Sequence, residues 1–130
     1  MSLLDHPRFL RTVLIVDAAT CVATGALMSL GAGALAGITR LPEALLLYAG
    51  LSLFPVAAFI GFVALRPIAA GVRAVVFGNV GWVIGSLLVL VAGGLAPNAL
   101  GVVFVVVQAA VVAVLAELEV IGLRRMPAAA

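Results

Sequence analysis

The chain has 130 residues, of which 66% are hydrophobic and 9% charged, and its mean hydropathy is +1.41. A water-soluble domain needs about a quarter of its residues charged, so this composition excludes one. The net charge of +2 and the pI near 9.5 rest on arginines at the ends of apolar runs, a pattern that suits anionic lipid headgroups and not nucleic acid.

A helix crosses roughly 30 Å of hydrocarbon in about 20 apolar residues at 1.5 Å per residue. Four runs reach that length: 12–31, 42–65, 72–90 and 98–123. The expected fold is an all-α integral membrane protein, a single four-transmembrane-helix bundle over residues 1–130 with both termini on the cytoplasmic side. A transmembrane barrel alternates apolar and polar residues, whereas Val102 to Val107 is apolar on both faces.

Ahead of the first run, Ser2 and Asp5 have the spacing of a capping box, and Leu3, Leu4, Phe9 and Leu10 read as a short amphipathic lead-in on the interface. Arg8 and Arg11 followed by an apolar stretch resemble a signal peptide, but Asp17 interrupts the apolar core and favours a retained span. Cys21 is the sole cysteine, which excludes an intramolecular disulfide and a multi-cysteine metal site; it reads as a small packing residue. The glycine-rich stretch Gly31 to Leu41 is expected to be a turn.

The second run begins at Pro42 and Glu43, a proline and an acid where a helix start favours both. Pro55 near its middle removes one backbone hydrogen bond, and Ala57 with Gly61 makes a small-xxx-small pair suited to helix packing. In the third run, Gly78, Gly81 and Gly85 fall within about 60° of one another at 100° per residue, beside a stripe of Asn79, Trp82 and Ser86. The glycine face is expected to pack against another helix or a second copy of the chain. Pro97 and Asn98 mark the start of the fourth run, with Asn98 as N-cap.

Arginine sets the orientation. With the N-terminus inside, Arg8, Arg11, Arg66, Arg73, Arg124 and Arg125 are cytoplasmic and Arg40 alone is outside, which places the chain in the inner (plasma) membrane with both ends in the cytoplasm.

Asp17 lies roughly 8 Å inside the first span and needs water, a partner or a proton there. Thr20, Cys21 and Thr24 extend a mildly polar stripe along its face, and Asn79 and Glu119 lie at similar depth in the third and fourth spans. Eleven residues carry Gln108 to Glu119 at only about 20° of rotation, so Glu119 points inward with Gln108 while Glu117 points away. Asp17, Asn79, Gln108 and Glu119, ringed by Thr20, Thr24, Trp82 and Ser86, are the expected solute- or ion-binding cluster. The competing reading pairs Asp17 with Arg11, Arg73 or Arg124.

Catalytic chemistry has little to use. His6 is the only histidine and precedes the first span, which excludes an intramembrane bis-histidine haem, a histidine metal site and a Ser-His triad within one chain, and no phosphate-binding glycine loop occurs. No cofactor is expected. The expectation is a homo-oligomeric transporter or channel for a small solute or ion. The alternative is a membrane scaffold, assembly or lipid-binding subunit whose polar residues fasten its helices.

Overall fold

The computed structural model describes residues 8–91 and 94–126, which fold into five helices: α1 Phe9–Leu30, α2 Ala32–Thr39, α3 Glu43–Leu65, α4 Ala69–Val91 and α5 Ala99–Arg124. No strand occurs among the described residues. Ser2, Leu3, Leu4, Asp5 and His6, and Ala92 of the last turn, lie outside the described residues, whereas Phe9 and Leu10 open α1.

Helices α1, α3, α4 and α5 are each long and apolar enough to cross a membrane. Large apolar side chains such as Leu30, Leu65, Phe62, Phe77 and Val91 point outward, an exterior that water would solvate poorly. Helix α3 continues through Pro55. The helix starts follow local chemistry. Glu43 occupies the first turn of α3, where the helix dipole favours an acid. Asn98 caps α5 by accepting from Gly101 N–H at 2.9 Å. Helix α4 begins just after Pro67, three residues earlier than the hydropathy pattern suggested, with Val72 N–H bonded to the Ile68 carbonyl at 3.0 Å.

The stretch expected to be a glycine-rich turn is instead largely helical, as α2. Gly31 keeps a right-handed backbone (φ −99°, ψ 14°), so Leu35 N–H reaches the Gly31 carbonyl at 2.8 Å and the chain starts a new turn almost at once. Glycine permits a break without demanding one, and the alanine and leucine residues between the glycines favour helix. Helix α2 stops at Arg40, the single described non-glycine residue with a left-handed backbone (φ 60°), two residues before Pro42.

Two helix pairs make the bundle. Helix α1 packs along α3, and α4 packs along α5; the pairs meet where α1 faces α5, while α3 and α4 barely touch. The α1–α3 crossing depends on Gly25 and Gly50. A Cβ at Gly25 would lie 2.9 Å from the Gly50 carbonyl oxygen, and one at Gly50 would lie 2.8 Å from Met28 Cβ and 2.9 Å from Ser29 N. Close backbone approach of this kind replaces the hydrophobic drive that lipid removes.

Each end of the bundle is fastened separately. At one end Leu10 fills the space over Gly122, and Arg11 donates to the terminal carbonyls of α3, Ala64 at 3.1 Å and Leu65 at 3.5 Å. At the other, Asn98 N–H bonds the Thr39 carbonyl at 3.1 Å, its side-chain amide bonds the Ile38 carbonyl at 2.8 Å, and Gly101 lies against the Thr39 carbonyl. The start of α1 and the end of α5 therefore share one end of the bundle.

A buried carboxylate pair bridged by one amide

Asp17 on α1 and Glu119 on α5 are both 0% exposed, and Asn79 on α4 is 5% exposed. Asn79 Nδ2 donates to Asp17 Oδ2 at 2.7 Å and to Glu119 Oε1 at 2.8 Å. An amide nitrogen has two hydrogens, and both are used. The two carboxyl groups consequently face each other beside one nitrogen, joining three helices in one layer.

The rest of the shell is nearly bare. Cys21, one turn beyond Asp17, donates its thiol to Asp17 Oδ1 at 3.8 Å. Glu119 Oε2 is buried and has no hydrogen-bond partner. No arginine reaches the pair: Arg11 is committed to the end of α3, and the partners of Asp17 are Asn79 and Cys21. The Asp17–arginine pairing considered from sequence is thus not formed, because the arginines stay at the bundle end while Asp17 sits a turn and a half deeper. Two ionised carboxylates so placed repel each other strongly, and among the described residues no fixed cation offsets that.

A second polar group lies further along α4. Trp82 Nε1 donates to Gln108 Oε1 at 2.6 Å, Gln108 Nε2 donates to Ser86 Oγ at 3.0 Å and to the Val105 carbonyl at 2.8 Å, and Ser86 Oγ returns to the Trp82 carbonyl at 2.7 Å. The predicted site residues therefore divide into two stations. Asp17, Asn79 and Glu119 form one; Trp82, Ser86 and Gln108 form the other.

A cavity of about 800 Å³ joins them. All four long helices line it, with Thr20, Cys21 and Thr24 from α1, Phe59 and Ile60 from α3, Asn79 and Trp82 from α4, and Phe104 and Gln108 from α5. Its walls are mainly apolar. Asp17 and Glu119 are not among its lining residues; Asn79 stands between them and the space. Thr20 donates its hydroxyl to the Asp17 carbonyl at 2.8 Å, and the Thr24 hydroxyl makes no hydrogen bond among the described residues.

The small residues singled out in the sequence separate as well. Ala57 is buried in the core. A Cβ at Gly61, Gly78, Gly81 or Gly85 would meet nothing within 4 Å, so no other helix of this chain packs on those positions. Gly78 borders the large cavity, and Gly81 and Gly85 border a second one of about 340 Å³ between α4 and α3. The tight glycine contacts are elsewhere, at Gly25, Gly50, Gly101 and Gly122. Cys21, placed on the Asp17 stripe by its i+4 spacing but read as a packing residue, turns out also to donate to the Asp17 carboxyl. Glu117 is exposed, as its helical phase requires.

Among the described residues no group of three or more histidine, cysteine or acidic side chains could hold a metal ion. The chain matches no known protein family, no curated protein and no solved structure.

Proposed function

We propose that this protein is a four-span transporter of the inner membrane, with both termini cytoplasmic, that moves a small solute or ion in exchange for a proton held by Asp17 and Glu119. The carrying observation is that two fully buried carboxyl groups from different helices share one amide donor and, among the described residues, no fixed cation, next to a cavity lined from all four spans. Helix packing alone needs no second acid there. An asparagine facing one aspartate already satisfies an interhelical bond, and a second carboxylate adds repulsion that only a mobile positive charge removes.

In this mechanism the pair carries one mobile positive charge, either a proton or a bound cation. Asn79 holds the two carboxyl groups at constant spacing while that charge is exchanged. A proton on Glu119 turns one of two like acceptors into a donor toward the facing Asp17 carboxyl. The sparse contact between α3 and α4 lets the α1–α3 pair rock against α4–α5, opening the cavity first to one side and then to the other. The basic end of the bundle, with Arg8, Arg11, Arg66, Arg73, Arg124 and Arg125, faces the cytoplasm on this reading.

Homo-oligomerisation through α4 is part of the proposal. Phe77, Ile84, Leu88 and Val91 form an exposed apolar stripe on α4 beside the glycines that border the cavities, and a second copy can pack on it. The rival reading is a scaffold or lipid-binding subunit in which the polar layer only fastens the helices.

The test is Asp17→Asn in purified protein reconstituted into vesicles, scoring oligomeric state and proton-coupled uptake of a panel of ions and small solutes together. Retained assembly with lost flux supports transport. Loss of assembly in Asp17→Asn makes the carboxylate structural and favours the scaffold.

A further inference from the structure

The unfilled hydrogen-bonding groups around the cavity are acceptors, apart from one hydroxyl. Both hydrogens of the Asn79 amide go to the carboxyl groups, the Trp82 N–H goes to Gln108, and both Gln108 amide hydrogens go to Ser86 and the Val105 carbonyl. The Thr20 hydroxyl is spent on the Asp17 carbonyl and the Cys21 thiol on its carboxylate. Acceptors are left over: among the described residues no donor bonds Asn79 Oδ1, and Glu119 Oε2 is buried without a partner. Thr24 alone keeps a free hydroxyl, which accepts as readily as it donates.

A buried polar group on a ligand binds where its own hydrogen-bonding need is met and is rejected where it is not. A carboxylate, phosphate or ketone head would find no N–H to receive it and would approach two acids. A head that donates finds a vacant carbonyl oxygen with acidic groups behind it. The remaining wall is apolar and carries the aromatic rings of Phe59, Phe104 and Trp82, in a space of about 800 Å³ that suits a molecule of drug-like size.

We infer that the cavity takes an amphipathic amine, with a primary or secondary ammonium donating to Asn79 Oδ1 and an apolar body against the aromatic wall. This rests on the reading of Asp17 and Glu119 as the site of an exchangeable positive charge. The proton on the pair and the ammonium of the ligand are then alternatives, since either one supplies the positive charge that the two carboxyl groups lack.

Trp82 is the chain's only tryptophan and lines the cavity, so its emission reports occupancy. The experiment titrates protein in lipid nanodiscs with 4-phenylbutylammonium, 4-phenylbutanol and 4-phenylbutyrate, which share one apolar body, using discs with a Gly78→Leu variant to subtract partitioning into lipid. A leucine at Gly78 fills the cavity without meeting a neighbour at its Cβ. The expected result is saturable binding of the ammonium at least tenfold tighter than the alcohol and about a hundredfold tighter than the carboxylate. Glu119→Gln keeps an acceptor for Asn79 and so keeps the fold. It is expected to weaken the ammonium at least tenfold and to leave the alcohol unchanged.

Equal affinity for the three probes, or preference for the carboxylate, overturns the inference. Uptake measured on the same preparation separates it from the transport proposal. Ammonium binding without proton-coupled flux supports the ligand class and removes the transporter, whereas Asp17-dependent flux of another solute without ammonium binding removes the ligand class and keeps the transporter.

Discussion

Asp17 and Glu119, one near the start of the chain and the other near its end, accept from the same amide nitrogen of Asn79 at 2.7 and 2.8 Å. That single nitrogen ties α1, α4 and α5 together. It also links the two helix pairs, which otherwise meet mainly where α1 faces α5.

Removal of the bridge leaves two buried acids facing each other with no donor. Asn79→Leu is expected to destabilise the fold by about 1 to 3 kcal/mol, the range for buried polar groups left unsatisfied. Adding Glu119→Leu should restore part of the loss, because it removes one of the two stranded acids. Steric-trapping or denaturant unfolding in bicelles measures both, and a double variant no more stable than Asn79→Leu would contradict the coupling.

The glycines predict opposite responses to one added methyl. Gly50→Ala places a Cβ against the Met28 side chain and the Ser29 backbone, neither of which can yield freely within the α1–α3 crossing, and is expected to cost about 1 to 3 kcal/mol. Gly78→Ala meets no atom and should leave the stability of the isolated chain unchanged or slightly raised. Thermal unfolding of the two variants side by side checks the contrast.

Asn98 makes four hydrogen bonds at the end of the bundle opposite the start of α1: its side-chain oxygen and its carbonyl accept from Gly101 and Val102 at the start of α5, and its backbone and side-chain nitrogens hold Thr39 and Ile38. Asn98→Ala is expected to cost about 1 to 2 kcal/mol from the cap, with the side-chain link to α2 lost at the same time. Hydrogen exchange should speed up at the Gly101 amide, while the layer around Asn79 stays protected.

The indole of Trp82 donates to Gln108 in the interior, and Gln108→Leu would strand it. The expected outcome is a blue-shifted Trp82 emission and a loss of about 1 kcal/mol, typical of one interhelical bond in a membrane protein. Flux that depends on Asp17 should persist, since the two polar stations are separate.

Hydropathy and helix punctuation were readable directly. Each long helix agrees with an apolar run to within about three residues at either end, and Pro42, Glu43 and Asn98 sit at helix starts as their chemistry dictates. The short helix α2 was not readable, because glycine content signals permission to turn, while the choice depends on whether the next hydrogen bond, here Leu35 N–H to the Gly31 carbonyl, can form. The glycine stripe on α4 shows the same limit. Periodicity placed Gly78, Gly81 and Gly85 on one face, but which helix fills a face is a property of neighbours, and in this chain none does.

The sequence by itself determined four helices long and apolar enough for a membrane, their ends, and the depth and helical phase of Asp17, Asn79, Gln108 and Glu119, since these depend only on residue type and a repeat of 3.6. Tertiary structure alone decided the rest. It divided those residues into two stations, gave both hydrogens of one amide to two acids, kept the arginines away from them, and opened a cavity lined by all four long helices. Phase along a helix is local, whereas the partner of a polar group depends on how far apart the helices stand, and that spacing is set by close contacts such as Gly25 with Gly50 and Leu10 with Gly122.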